Sequence, residues 1–246
     1  MNESRTTDYL LKAVLLFIAL IPLIYFNQIR SVPLKVFALG TGSWGLGLIF
    51  KILSHQLVVV RLQNKGLPKL LYSSINGFLS GFFELLAAYL IILLMKEKLA
   101  FDFNAIISFG LAIGSLEILI VVFNKNNNLF EGTALENSSK KTMEYFRNST
   151  GIEYFILNFV LTIYERILAL FLHISTRGLV FITIFTGNIL PIGFALLVFT
   201  ITDGPLVFYY HVTGKLTTRK GVVELITYLT ILTIISVFVF YSMYSL

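Results

Sequence analysis

Residues 70–95 read LLYSSINGFLSGFFELLAAYLIILLM, a run with a single charged side chain, Glu84. A helix rises 1.5 Å per residue, so about 20 apolar residues cross the hydrocarbon core of a bilayer. Only a segment that satisfies its own backbone hydrogen bonds can do so, which makes this run a transmembrane helix. Outward from it, similar windows recur at 9–26, 34–53, 105–123, 163–186, 190–212 and 221–244. Together they predict an all-α, polytopic transmembrane bundle of about seven spans, with 1–246 forming one membrane-embedded domain. Composition agrees: 57% of the 246 residues are apolar and 13% charged, against about 25% charged in an ordinary soluble domain. With a mean hydropathy of +0.84, a soluble globular fold is excluded.

The second window is the weakest, carrying Gly40, Gly42, Gly45, Gly47 and Lys51, and is expected to be tilted, broken or partly interfacial. Its Gly40-Thr-Gly42-Ser-Trp-Gly45 satisfies a dinucleotide-binding pattern literally. It sits in an apolar helix with no preceding strand, so close helix packing is the better reading. The first window lacks a small-residue cleavage site and reads as a retained span rather than a signal peptide. Residues 152–164 run without a break into the fifth window, predicting a long helix or one that begins along the membrane surface.

The chain has no cysteine, which excludes disulfides, thiolate zinc sites and thiol nucleophiles. Its net charge of +6 comes from residues at span edges, which is a topology signal and not a nucleic-acid surface. One side collects Arg5, Arg61, Lys65, Lys69, Lys125, Lys140, Lys141, Arg147, Lys215, Arg219 and Lys220; the other has Arg30, Lys35, Lys96 and Lys98. The positive-inside rule then puts the N-terminus in the cytoplasm and the C-terminus outside. Residues 124–150 form a polar loop, expected to be cytoplasmic and mobile, where the glycosylation-type motifs at Asn137 and Asn148 would go unused.

Two spans share one pattern, Gly77-x-x-x-Gly81-x-x-Glu84 and Gly110-x-x-x-Gly114-x-x-Glu117. Positions i, i+4 and i+7 lie on one helix face, so each carboxylate shares a stripe with two glycines that admit a neighbouring backbone. A carboxylate there is expected to be paired, protonated or metal-bound, because a lone charge at the bilayer centre costs a few kcal/mol or more. The fifth span adds Glu165, Arg166, His173 and Arg177; offsets of seven and eleven residues align Arg166, His173 and Arg177 within about 20°. In the sixth, Asp203 precedes Gly204-Pro205, an interruption that frees backbone carbonyls. Counted from their span ends, Glu84, Glu117, His173 and Asp203 all reach the middle third of the bilayer, where one polar cavity could hold them. His55 and His211 fall at span ends and read as interfacial residues.

The order Gly-Phe-Phe-Glu84, Phe109-Gly-x-x-x-Gly-x-x-Glu117, Glu165-Arg166 with His173, then Asp203-Gly-Pro resembles the YhfC family of bacterial membrane proteins. That family is related to the PrsW and CAAX-protease-like intramembrane metalloproteases, and the resemblance covers roughly residues 70–210. It implies Glu84 and Glu117 as catalytic carboxylates and His173 as a metal ligand, with Asp203 beside it, zinc as the metal, Glu165, Arg166 and Arg177 in support, and residence in the bacterial cytoplasmic membrane. The chain departs from the group in two places: Leu85-Leu86-Ala87-Ala88 follows Glu84, and Phe199 stands where a second histidine is expected, one turn before Asp203. Phenylalanine neither ligates a metal nor carries a proton, so the sequence leans toward weak or absent metal binding. The readings are therefore a divergent, degenerate intramembrane protease; a non-enzymatic subunit that binds a membrane-embedded peptide, lipid or partner helix; and a small transporter or its substrate-binding subunit.

Overall fold

The computed structural model describes residues 3–28, 34–123 and 155–245, all helices and short turns; the 124–150 loop lies outside them. Helix α1 is Glu3–Gln28. The second, α2, runs over Leu34–Asn64, with one wide π-helical turn at His55–Val59. Then follow α3, Lys69–Leu94; α4, Phe103–Phe123; α5, Leu161–Thr186; α6, Leu190–Thr213; and α7, Arg219–Tyr244. Six of these, α2 to α7, are long and apolar enough to cross a membrane, and α1 contains a shorter apolar stretch, Tyr9–Tyr25. The weak second window is thus one continuous helix and not a broken one. Residues 155–160 form a π-helical turn leading directly into α5.

The ends follow local chemistry. Gly187, at φ +75°, ends α5 in the left-handed conformation that glycine adopts without strain, and Pro191 lies in the first turn of α6. The Thr218 hydroxyl caps α7 by accepting from the Gly221 amide at 3.1 Å. Asp203-Gly204-Pro205 does not end α6 but widens it into a π-helical turn, Thr202–Phe208. Such turns absorb a proline's missing N–H and re-aim nearby side chains.

Helix α5 is the centre of the bundle: 72% of its apolar window is buried, against 28% for α7 and 22% for α2. The glycine stripes explain how closely its neighbours approach. A Cβ at Gly110 would come within 2.5 Å of Ile174 Cα, and one at Gly114 within 2.5 Å of a Leu170 methyl, so α4 lies against α5. On α3, a Cβ at Gly77 would collide with the Thr200 carbonyl and one at Gly81 would meet Phe199 Cβ at 2.6 Å, so α3 lies against α6. In α2, Gly40 and Gly47 contact α4 and α3, whereas Gly42 and Gly45 meet nothing within 4 Å, so of the dinucleotide-like motif only Gly40 serves packing. Phe17, Ile49, Phe78, Leu94, Phe123 and Phe238 are exposed on the outside, a surface that lipid solvates and water would not.

Candidate functional site: an ion-lined cavity

The turns at 65–68 and 214–218 lie at one end of the bundle, together with Arg61, Lys69, Lys215, Arg219 and Lys220; we call it the basic end. Measured along their own helices at 1.5 Å per residue, the ionisable residues descend from it in order. His211 is about 3 Å in, Glu165 and Arg166 about 6–8 Å, Glu117 about 9 Å, Asp203 about 15 Å, His173 about 18 Å, Lys51 about 20 Å, Glu84 about 22 Å and Arg177 about 24 Å. Beyond Arg177 the wall is apolar: Ala88, Ile92, Ile106, Leu179, Val180 and Phe181 pack into one cluster, each 0% exposed.

These side chains make two bonded groups around one cavity. Arg177 Nη2 donates to Glu84 Oε2 at 2.7 Å, and the pair is nearly sealed, with 1% and 5% of its side chains exposed. Lys51 Nζ bridges Glu84 Oε1 at 3.2 Å and Asp203 Oδ2 at 3.0 Å. The Ser80 hydroxyl, one turn before Glu84 on α3, donates to the same Asp203 oxygen. Nearer the basic end, His173 Nε2 lies 3.1 Å from Glu117 Oε2, Arg166 Nη1 lies 3.7 Å from that oxygen, and Arg166 Nη2 donates to Glu165 Oε1 at 2.7 Å. Because an ionised carboxylate only accepts, Nε2 carries the proton in the His173–Glu117 bond.

A cavity of about 110 Å³ opens among Lys51, Glu84, Glu117, Glu165, Arg166, His173 and Asp203, with Leu168, Leu172, Val198 and Phe199 as its apolar wall. A water takes about 30 Å³ of liquid, so the space exceeds one molecule. A second hollow of about 220 Å³ shares Lys51, Glu117 and Asp203 with the first and continues past Asn76, His55 and His211. The structure therefore gathers Glu84, Glu117, His173 and Asp203 in one cavity, with Glu165 and Arg166 at its rim. Arg177 stands behind Glu84, its guanidinium carbon 4.7 Å from the centre of the Phe199 ring. Phe199, at the expected second-histidine position, fills the gap between Arg177 and the His173 ring, whose centroid is 6.0 Å away.

Sequence reasoning missed Lys51, the residue that joins two of the acids, and Ser80. It also read His55 as interfacial, whereas His55 is buried with its Nδ1 2.9 Å from Asn76 Oδ1.

A catalytic zinc needs three protein ligands and a water. The residues present do not fit that requirement. Among the described residues, no three His, Asp or Glu side chains converge to hold a metal. The His173 nitrogen that faces an acid is engaged by Glu117, and Asp203 Oδ2 is engaged by Lys51 and Ser80.

No family model matches the chain, and neither a curated protein nor a solved structure matches it. What fold and composition establish is the class: a polytopic helical membrane protein.

Proposed function

We propose that the chain is a non-enzymatic, membrane-embedded binding protein: a divergent metalloprotease-like scaffold whose ion-lined cavity receives the polar end of a membrane-embedded peptide, lipid or partner segment. The observation that carries this reading is that every carboxylate around the cavity already has a cationic or imidazole partner in the protein. Glu84 is held by Arg177 and Lys51, Asp203 by Lys51, Glu117 by His173 and Arg166, and Glu165 by Arg166. Such pairing keeps charge tolerable deep in the bundle and leaves the remaining lone pairs for a guest, rather than clearing a coordination sphere for a metal. The cavity lies on the basic side of a sealed apolar core, and the positive-inside rule supports a mouth that opens to the cytoplasm.

The transporter reading draws on one further feature, the π-helical turns in α2 and α6 beside Lys51 and Asp203, since interrupted helices line the sites of many carriers. It predicts an alternative arrangement in which the far end opens. The metalloprotease reading is separated by metal analysis of the purified protein, wild type beside His173→Ala. The binding reading expects far less than one zinc per chain in both, with no peptide hydrolysis. One zinc per chain, lost in His173→Ala together with a measurable cleavage, overturns it.

A further inference from the structure

We infer that the guest of this cavity is a primary ammonium group on a short alkyl stem; the inference rests on the binding reading above and names its ligand class. It starts from the hydrogen-bonding capacity that the protein leaves open. Glu117 Oε1, Glu165 Oε2 and Asp203 Oδ1 accept no hydrogen bond from any described residue, the bonds to these three acids falling on their other oxygens. His173 lines the cavity, is 6% exposed, and its Nδ1 is buried without a partner. With the ring proton on Nε2, that nitrogen is a lone pair, an acceptor. The open acceptors are thus three carboxylate oxygens and an imidazole lone pair. The cations of the wall keep some donors, one Lys51 hydrogen and the Arg166 N–H groups not bonded to Glu165, but the charge of each is already set against two acids, Glu84 and Asp203 for Lys51, Glu165 and Glu117 for Arg166.

Charge points the same way. Glu84, Glu117, Glu165 and Asp203 are four negative charges; Lys51, Arg166 and Arg177 are three positive ones, which leaves one negative charge while His173 is neutral. In surroundings where unbalanced charge is expensive, a guest that brings one positive charge and several N–H donors completes the site, and a carboxylate guest doubles its imbalance. The shape selects further. Leu168, Leu172 and Val198 line one wall and suit a hydrocarbon stem, while a volume of about 110 Å³ limits how much of a guest can enter. A lysine side chain, a free amino terminus or an aminolipid headgroup all present this chemistry.

The test uses the full chain in lipid nanodiscs, with empty nanodiscs as the blank, titrated calorimetrically near pH 7 with n-butylammonium, tetramethylammonium, potassium and butyrate. Butylammonium is expected to bind, tetramethylammonium to bind more weakly because it has no N–H, and potassium and butyrate to give no saturable heat. Glu117→Gln and Asp203→Asn should each weaken butylammonium binding about tenfold or more, the scale of one charge-assisted hydrogen bond. Glu165→Gln at the rim provides a third variant, and melting curves show which variants are folded. Butyrate or potassium binding as well as butylammonium overturns the inference, as does silence toward butylammonium in folded wild type. Either result leaves the binding reading to its own test, because that reading falls only on stoichiometric zinc with cleavage.

Discussion

Helices α3 and α4 carry the same Gly-x-x-x-Gly-x-x-Glu word, yet their glutamates end in opposite situations. Glu84 is 5% exposed and clasped between Arg177 and Lys51, whereas Glu117 is 36% exposed and shares His173 and Arg166 at the mouth of the cavity. The pattern fixes only which face the carboxylate takes; its depth comes from the direction in which the helix runs, and its partners from the neighbouring helices, α2 and α5 for Glu84 and α5 for Glu117. Helix α3 runs inward from the basic end, so Glu84, 15 residues along, reaches the apolar seal. Helix α4 runs the other way, so its glutamate comes out six residues from the basic end. One word on antiparallel helices therefore makes a structural ion pair and an accessible group.

That contrast breaks most visibly at the buried pair. Glu84→Ala should cost about 3–5 kcal/mol in equilibrium unfolding from mixed micelles, because it strands Arg177 in an apolar environment. The double variant Glu84→Leu/Arg177→Met should recover most of that loss. Recovery would assign the pair to architecture; no recovery would mean that Lys51 and Asp203 depend on it as well.

The next largest effect tests the stripes. Gly77→Ala and Gly110→Ala each drive a methyl into the backbone of the facing helix and should cost about 1–3 kcal/mol. Gly45→Ala, with open space around its Cβ, should be neutral or stabilise by up to about 1 kcal/mol. Equal effects at Gly45 and Gly110 would remove the packing role argued for the stripes. The smallest effect belongs to the mouth: Glu117→Gln should cost less stability than Glu84→Ala, because Glu117 is only half-buried and keeps its shape and a hydrogen bond to His173 as the amide, while its effect on amine binding is large.

The spans and the meeting of Glu84, Glu117, His173 and Asp203 were legible because lipid leaves the backbone one option and because helical periodicity fixes faces. Lys51 was not, although the signal was present. Gly40, Gly47 and Lys51 stand at i, i+7 and i+11, the same offsets that align Arg166, His173 and Arg177. Read that way, the lysine lies on the packed face of α2 and not at a flaw in a weak span. The course of α6 was half legible. Gly204-Pro205 marks an irregularity, but a π-helical turn that keeps the helix going and holds Asp203 toward Lys51 depends on Gly77 and Ser80 across the interface. The roles implied by the protease resemblance were least legible, since a Glu and a His on adjacent helices look alike in sequence whether they hold a metal or each other.

The central claim is a cavity reached from one end and sealed at the other, and a chain without native cysteine lets single cysteines report on it cleanly. Glu117→Cys, at the mouth, and Ala88→Cys, in the apolar seal, are to be labelled in sealed vesicles with a membrane-impermeant cationic methanethiosulfonate, with cysteines at Asn126 and Asn188 marking the two faces. The account predicts that Glu117→Cys reacts only from the face that labels Asn126→Cys, and that Ala88→Cys reacts from neither. Labelling of Ala88→Cys, or of Glu117→Cys from the Asn188 side, would contradict it.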